Sequence, residues 1–188
     1  MAPQPSAKFT VNQTSLPGVL LIQPRVYEDD RGFFLESYNQ HSMAEAGVSD
    51  QFVQDNHSYS ASNVLRGLHY QLRNVQAKLV RVVSGEIVDV AVDLRRSSST
   101  FGQYCKAVLS GENKLMFYIP RGFAHGFLVR SPSAHVLYKS SDFYDTESER
   151  VILWNDPDLA IDWEVQGQPV LSAKDAAARR FREAEVFE

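Results

Sequence analysis

Between Glu86 and Leu94 the sequence alternates with a period of two. Val88, Val90, Val92 and Leu94 share one parity, and Ile87, Asp89, Ala91 and Asp93 share the other. Successive side chains of an extended chain point to opposite faces, so this run is a β-strand with one fully apolar face and one mixed face. Shorter segments of the same character surround it: LVRVV (79–83), QYCKAVL (103–109), KLMFYIP (114–120), GFLVR (126–130) and HVLYKSS (135–141). Turn-forming residues separate them at Ser84-Gly85, Ser110-Gly111, Pro120-Arg121-Gly122 and Ser131-Pro132. Many short strands without intervening helices predict an all-β, mainly antiparallel sandwich or barrel. Helix signals stay at the periphery. Ser42 and Glu45 have capping-box spacing and Gly47 closes the segment, which predicts one short helix. Ser172 and Asp175 open an alanine- and arginine-rich stretch that predicts a C-terminal helix over about 172–185.

A length of 188 residues suits a single domain over 1–188, with residues 1–6 as a loose lead. The net charge of -4, with no basic stripe, argues against a nucleic-acid partner. An anionic ligand would have to be met by a local cluster of Arg and Lys in a cleft. Cys105 is the one cysteine and forms no intrachain disulfide, which fits a reducing compartment. The opening MAPQPSAKF has no apolar core or basic lead, and no apolar run reaches the length of a membrane span. The expectation is a cytoplasmic protein without a membrane partner.

Two segments carry the chemistry, RGLHYQ (66–71) and PRGFAHGF (120–127). Pro120-x-Gly122-x-x-His125 matches the second metal-site motif of the cupin jelly-roll barrels, and the frame of His69, Gln71, Lys78 and Gly85 resembles the first. Where that motif has its second histidine and its glutamate, this chain has Gln71 and Lys78. An ammonium has no lone pair for a divalent ion and repels it, so the substitutions point away from a metal. In a barrel cavity a lysine can instead stabilise a developing oxyanion. A snorkelling surface lysine is the other reading of Lys78.

Six linked segments make the resemblance specific: FVQDNHSYSASNVLRGLHYQ, KLVRVVSGEIVDVAVDLR, PRGFAHGF, LYKSSDFY, ILWNDPDLAIDW and LSAKDAAA. In this order and spacing the chain, from about Leu16 to about Ala178, resembles the dTDP-4-dehydrorhamnose 3,5-epimerase family. The resemblance implies a cupin-type jelly-roll barrel with short peripheral helices, no cofactor or metal, and a homodimer. It implies dTDP-4-dehydro-6-deoxy-D-glucose as substrate, inverted at C3 and C5 beside the C4 ketone. Such chemistry needs a base, an oxyanion stabiliser and an acid on the opposite face.

By the same resemblance His69 is the base, Asp175 the carboxylate that orients it, and Tyr138 the proton donor. Lys78 and His125 match groups near the C4 oxygen, while Asp89, polar on the mixed face of its strand, is expected to support a neighbouring site residue. Arg31, Glu36, Gln54, Asp55, Asn56, Arg66, Glu149 and Lys174 match substrate contacts, and Tyr144 matches a residue stacked on thymine. Arg31, Arg66 and Lys174 suit the pyrophosphate. The apolar segment 16–27 is expected to add a strand to a neighbouring sheet, which would carry Arg31 and Glu36 toward another subunit. Taken singly, Asp175 reads as a capping acid and His69 as a core histidine on a strand, and periodicity does not separate Tyr138 as a donor from a core tyrosine. A C3-only or C5-only epimerase, or a sugar-binding cupin that is non-catalytic or metal-dependent, remains an alternative.

Overall fold

The computed structural model describes residues 8–188, so the expected loose lead at 1–6 lies outside the described residues. The strands, in chain order, are β1 (Phe9–Gln13), β2 (Leu20–Pro24), β3 (Val26–Asp29), β4 (Gly32–Leu35), β5 (Gln54–Ala61), β6 (Leu65–Gln71), β7 (Lys78–Ser84), β8 (Glu86–Asp93), β9 (Tyr104–Ser110), β10 (Met116–Ile119), β11 (Phe123–Val129), β12 (Ser133–Ser140) and β13 (Glu149–Val151). Helix α1 (Gln40–Glu45) precedes β5, and α2 (Ala173–Ala176) follows β13. One sheet runs β1-β2-β10-β7-β12-β5 and the other β13-β6-β11-β8-β9; β3 and β4 form a separate hairpin. The pairings between these strands are antiparallel. The all-β expectation holds, and its six quoted segments lie on β7 to β12.

The two faces of β8 explain the layering. Ile87 and Ala91, from the mixed parity, pack between the sheets with Val80, Phe117, Phe127 and Val136. Val88, Val90 and Val92 turn outward and are covered by Ile152, Leu159 and Trp163 from the C-terminal segment. The apolar face is thus a second core under a strap, while the mixed face points into the barrel. On the outside of the other sheet Leu20, Ile22, Leu79 and Met116 are sealed by Met43 and Val48. Burying each such side chain contributes on the order of 1.5–3 kcal/mol.

Three local expectations need correction. The cap of α1 is Asn39, whose side chain accepts from the His41 and Ser42 amides, so Ser42 sits inside the first turn. Gly47, at φ +92°, does follow the helix end as expected. The C-terminal helix is one turn long and not the span 172–185. Beyond it Arg179 bridges to Ile152, and the Phe181 amide donates to Asp156 at 2.9 Å. These tertiary bonds override helix propensity, leaving only a 3₁₀ turn at Phe181–Glu183. Finally, Leu20–Pro24 is enclosed in its own sheet between β1 and β10, so segment 16–27 does not extend a neighbouring sheet through that strand.

Candidate active site

The register of β6 on β11 sets His69 directly opposite His125. Two glycines allow this approach. A Cβ on Gly67 would lie 2.5 Å from the Gly126 Cα, and one on Gly126 would lie 2.7 Å from the Arg66 carbonyl oxygen. The glycines of RGLHYQ and AHGF therefore serve backbone proximity beside the two histidines.

His69 Nε2 is 2.6 Å from Asp175 Oδ1, with the imidazole 27% exposed and the carboxylate 3%. The Ser172 hydroxyl donates to Asp175 Oδ2 at 2.8 Å and accepts from the Asp175 amide at 3.1 Å. Ser172 is therefore the cap, and Asp175, in the first turn, is bonded to that cap's hydroxyl and to His69 at once. Burial works to raise its carboxyl pKa, but the hydrogen bond and charge of His69, with Ser172 and Lys174, outweigh it and hold the group below its ordinary value. A carboxylate so fixed orients one ring nitrogen and leaves the other free to take a proton.

The second pair is built differently. His125 Nε2 lies 2.5 Å from Asp89 Oδ1, and both side chains are buried. Burial lowers the His125 pKa despite Asp89, with Lys78 and His69 adding to the effect. Lys78 is half-buried in the cavity wall, and desolvation there pushes its pKa down to about 8 even though Asp89 and Glu149 favour the ammonium. The snorkelling reading of Lys78 is set aside by this placement.

A cavity of ≈ 300 Å³ opens between the sheets, walled by Gln54, Asn56, His69, Gln71, Lys78, Tyr138, Ser140, Tyr144 and Glu149, with Tyr70 and Gln76. Its size is at the lower edge of small-molecule sites. His69 comes from one sheet; Tyr138 and Lys78 come from the other. Register places Tyr138 between Asn56 and Val80, and Ser140 between Gln54 and Lys78. Burial raises the Tyr138 phenol pKa, so it holds its proton. At the mouth the Tyr144 hydroxyl donates to Glu149 Oε2 at 2.7 Å, and the Lys174 ammonium donates to Glu149 Oε1 at 2.7 Å. Hydrogen bonding to Glu149 pushes Tyr144 up to about 12.

Not every expected residue reaches this cavity within one chain. Arg31 is on the β3–β4 turn, 89% exposed and paired with Asp29. Glu36 pairs with Lys8 at 2.8 Å. Asp55 has the opposite parity to Gln54 and Asn56 and bonds Lys139 at 2.8 Å. Arg66 bonds Ser60 and the Tyr59 carbonyl near the rim. His125 stands behind the cavity wall. Conversely, Tyr70, Gln71, Gln76 and Ser140 line the cavity without having been singled out as ligand contacts. Parity offered a signal for two of them, since Gln71 follows His69 by two residues and Ser140 follows Tyr138 by two. Among the described residues, no group of three or more His, Cys, Asp and Glu side chains is placed to hold a metal ion.

The family model described as dTDP-4-dehydrorhamnose 3,5-epimerase matches residues 13–183. The chain belongs to this family. It is 58% identical over 174 residues to the dTDP-4-dehydrorhamnose 3,5-epimerase of Pseudomonas aeruginosa, covering 92% of this chain and 96% of that one. A solved 3,5-epimerase from Legionella pneumophila, in complex with dTDP-4-keto-L-rhamnose, superposes with a TM-score of 0.92 at 49% identity, covering 94% of this chain and 95% of that one. The family fold also reaches a 3'-monoepimerase from Streptomyces bikiniensis, solved with dTDP-quinovose, at TM-score 0.83 and 30% identity over 89% of this chain and 85% of that one. The cupin-like 3,5-epimerase barrel is therefore the fold of this protein, as the linked motifs imply.

Proposed function

We propose that the protein epimerises dTDP-4-dehydro-6-deoxy-D-glucose at C3 and C5 to dTDP-4-dehydro-L-rhamnose, a step of dTDP-L-rhamnose biosynthesis. One observation carries the reading: a base of the His69–Asp175 kind and a protonated phenol, Tyr138, stand on opposite sheets around one cavity, with Lys78 in the same wall. His69 takes the proton from the carbon beside the C4 ketone. The electron pair moves to the ketone oxygen as an enolate, which the Lys78 ammonium and the buried His125–Asp89 pair stabilise. Tyr138 then delivers its proton to the opposite face of the carbon, and the resulting phenolate and imidazolium re-equilibrate through solvent. The sequence runs once at C5 and once at C3.

The nucleotide end takes the mouth. Tyr144 offers a ring to the base, Gln54, Asn56 and Glu149 offer polar contacts, and Arg66 and Lys174 offer charge to the pyrophosphate. Arg31 and Glu36 reach a site only in a homodimer, carried by the β3–β4 hairpin, whose Phe33 and Phe34 are 58% and 70% exposed. Asp55 sits on the same outer surface. Light scattering at micromolar concentration is expected to give a dimer; an active monomer refutes this part. A cytoplasmic location fits the substrate class, and among the described residues no helix is long and apolar enough to cross a membrane.

The test is NMR of the nucleotide sugar in deuterated water. The wild-type protein should label and invert both C3 and C5, whereas labelling and inversion at one carbon alone would make it a single epimerase. Tyr138→Phe should still exchange C5, because His69 can return a deuteron to the same face, but should invert it slowly or not at all. Inversion keeping pace with exchange in folded Tyr138→Phe rules out Tyr138 as the acid.

A further inference from the structure

The residue that stands where a cupin would have its second metal-site histidine is fully used for something else. Gln71 is 5% exposed at the end of β6, two residues from His69 on the same face. Its amide nitrogen donates to the Asn74 carbonyl at 2.9 Å and to the Phe143 carbonyl at 3.2 Å. Its amide oxygen accepts from the Asp145 amide at 3.0 Å. One side chain thus ties the loop after β6 to the loop after β12, and brackets Tyr144 between its two attachment points on the second loop.

Other ties hold the ends of this loop, Gln76 to the Asp142 carbonyl at 2.9 Å and Ser148 to the Arg73 carbonyl at 3.2 Å, but those beside Tyr144 are more exposed. Arg73 pairs with Asp145 and Glu147, but its side chain is 62% exposed, and exposed pairs of this kind contribute little. Gln54 accepts from the Tyr144 amide at 3.2 Å, and Tyr144 itself is 53% exposed. Without the Gln71 amide, two carbonyls and one N–H would need new partners at a site largely closed to water.

The geometry points to Gln71 as the positioning residue that holds Tyr144 for the nucleoside end of the substrate, a role that rests on the reading of Tyr144 given above. Both ends of its amide are engaged by the loops, so its role is one of position. The effect of losing it is therefore on nucleotide affinity and not on the proton transfers at His69 and Tyr138.

The experiment compares Gln71→Met, close in length but without the amide, with the wild-type protein. KM for the dTDP sugar and Kd for dTDP should both rise about tenfold, as expected for unmade buried hydrogen bonds, while kcat stays within about twofold of the wild type. In a Tyr144→Ala background the same substitution should add less than about twofold to Kd, because the residue it positions is gone. An unchanged Kd in folded Gln71→Met, or a full further loss in the Tyr144→Ala background, overturns the proposal. Should Gln71→Met fail to fold, hydrogen exchange in the wild-type protein decides. The Asp145 amide must be protected together with the Phe143–Tyr144 segment, and exchange at the rate of an open loop overturns the clamp. A wild-type protein that binds dTDP yet fails to epimerise the sugar would sink the functional reading, while the dTDP arm would still judge Gln71.

Discussion

His69 and His125 face one another across a single pair of strands, and each is bonded to an aspartate, yet the two pairs are built for opposite ends. Asp89 reaches His125 from the adjacent strand β8, and the pair is sealed between the sheets. Asp175 reaches His69 from the C-terminal strap, and the imidazole keeps a quarter of its surface open to the cavity. Burial lowers the His125 pKa and disfavours its charging. In the proposed reaction the open pair exchanges protons with substrate and solvent, and the sealed pair presents a fixed dipole. Position on the barrel, not residue type, separates a base from a scaffold.

The largest effect should come from breaking the open pair. His69→Asn is expected to lose solvent isotope exchange at C3 and C5 by at least ~100-fold, with a stability change of only ~1 kcal/mol, because the ring is partly solvated. Exchange near the wild-type rate would show that the base lies elsewhere. Next is Lys78, which stands near both pairs. Its pKa of about 8 means that the ammonium is lost above that pH, so kcat/KM should fall roughly tenfold per pH unit on the alkaline side. The same group predicts the opposite trend for stability. Its folded pKa lies below the unfolded value, so from about pH 8 to 10.5 the unfolded chain holds a proton that the native chain has shed. This group's contribution to stability therefore rises with pH across that window. Lys78→Arg stays charged and should abolish the alkaline limb; a limb that persists assigns it to another group.

A third effect belongs to the sealed pair. His125→Asn leaves the Asp89 carboxylate, already short of a partner at Oδ2, without its histidine. Stability should fall by about 3 kcal/mol in urea melts, while residual activity should exceed that of His69→Asn. A stable but fully inactive His125→Asn would make the two pairs chemically equivalent and erase the distinction.

Much of this was legible in the sequence for a definite reason. Strand parity depends only on alternation, so Asp89 could be placed on the mixed face of β8, and His69 with Gln71 on one face of β6, before any coordinates. Linked motifs then brought His69, Lys78, Tyr138 and Asp175 to one site. What was not legible depended on contacts between distant segments. The alanine-rich stretch after Ser172 has helix propensity, but bonds from Arg179 and Phe181 to the 152–156 segment end the helix after one turn. Asn39 and Ser42 are both competent caps, and the choice fell to the residue whose side chain met two free amides. Arg31 carries charge suited to a phosphate and Glu36 matches a substrate contact, but neither reaches the cavity within one chain, and the proposed homodimer is what would bring them to one. Gln71 was visible as a lost metal ligand; its two loops were not.

The smallest effect tests how the open pair is held. Asp175 sits on a helix of four residues, too short to be stable alone, and its carboxylate depends on Ser172 for its second oxygen and for the cap of the turn. Asp89 has no such dependence, because the ladders of β8 to β9 and β11 fix its backbone on both sides. Ser172→Ala removes the cap and one carboxylate hydrogen bond, a loss of about 1 kcal/mol locally. Because α2 can fray without disturbing the barrel, the loss should appear as a looser Asp175 and not as a lower melting temperature. Exchange at C5 is then expected to slow about threefold to tenfold, with Ser172→Thr, which keeps the hydroxyl, near the wild-type rate. If Ser172→Ala exchanges as fast as the wild-type protein, the His69–Asp175 bond alone holds the pair. If instead it melts several degrees lower, the strap is part of the cooperative core, and the contrast between a peripheral working pair and a central fixed one would have to be abandoned.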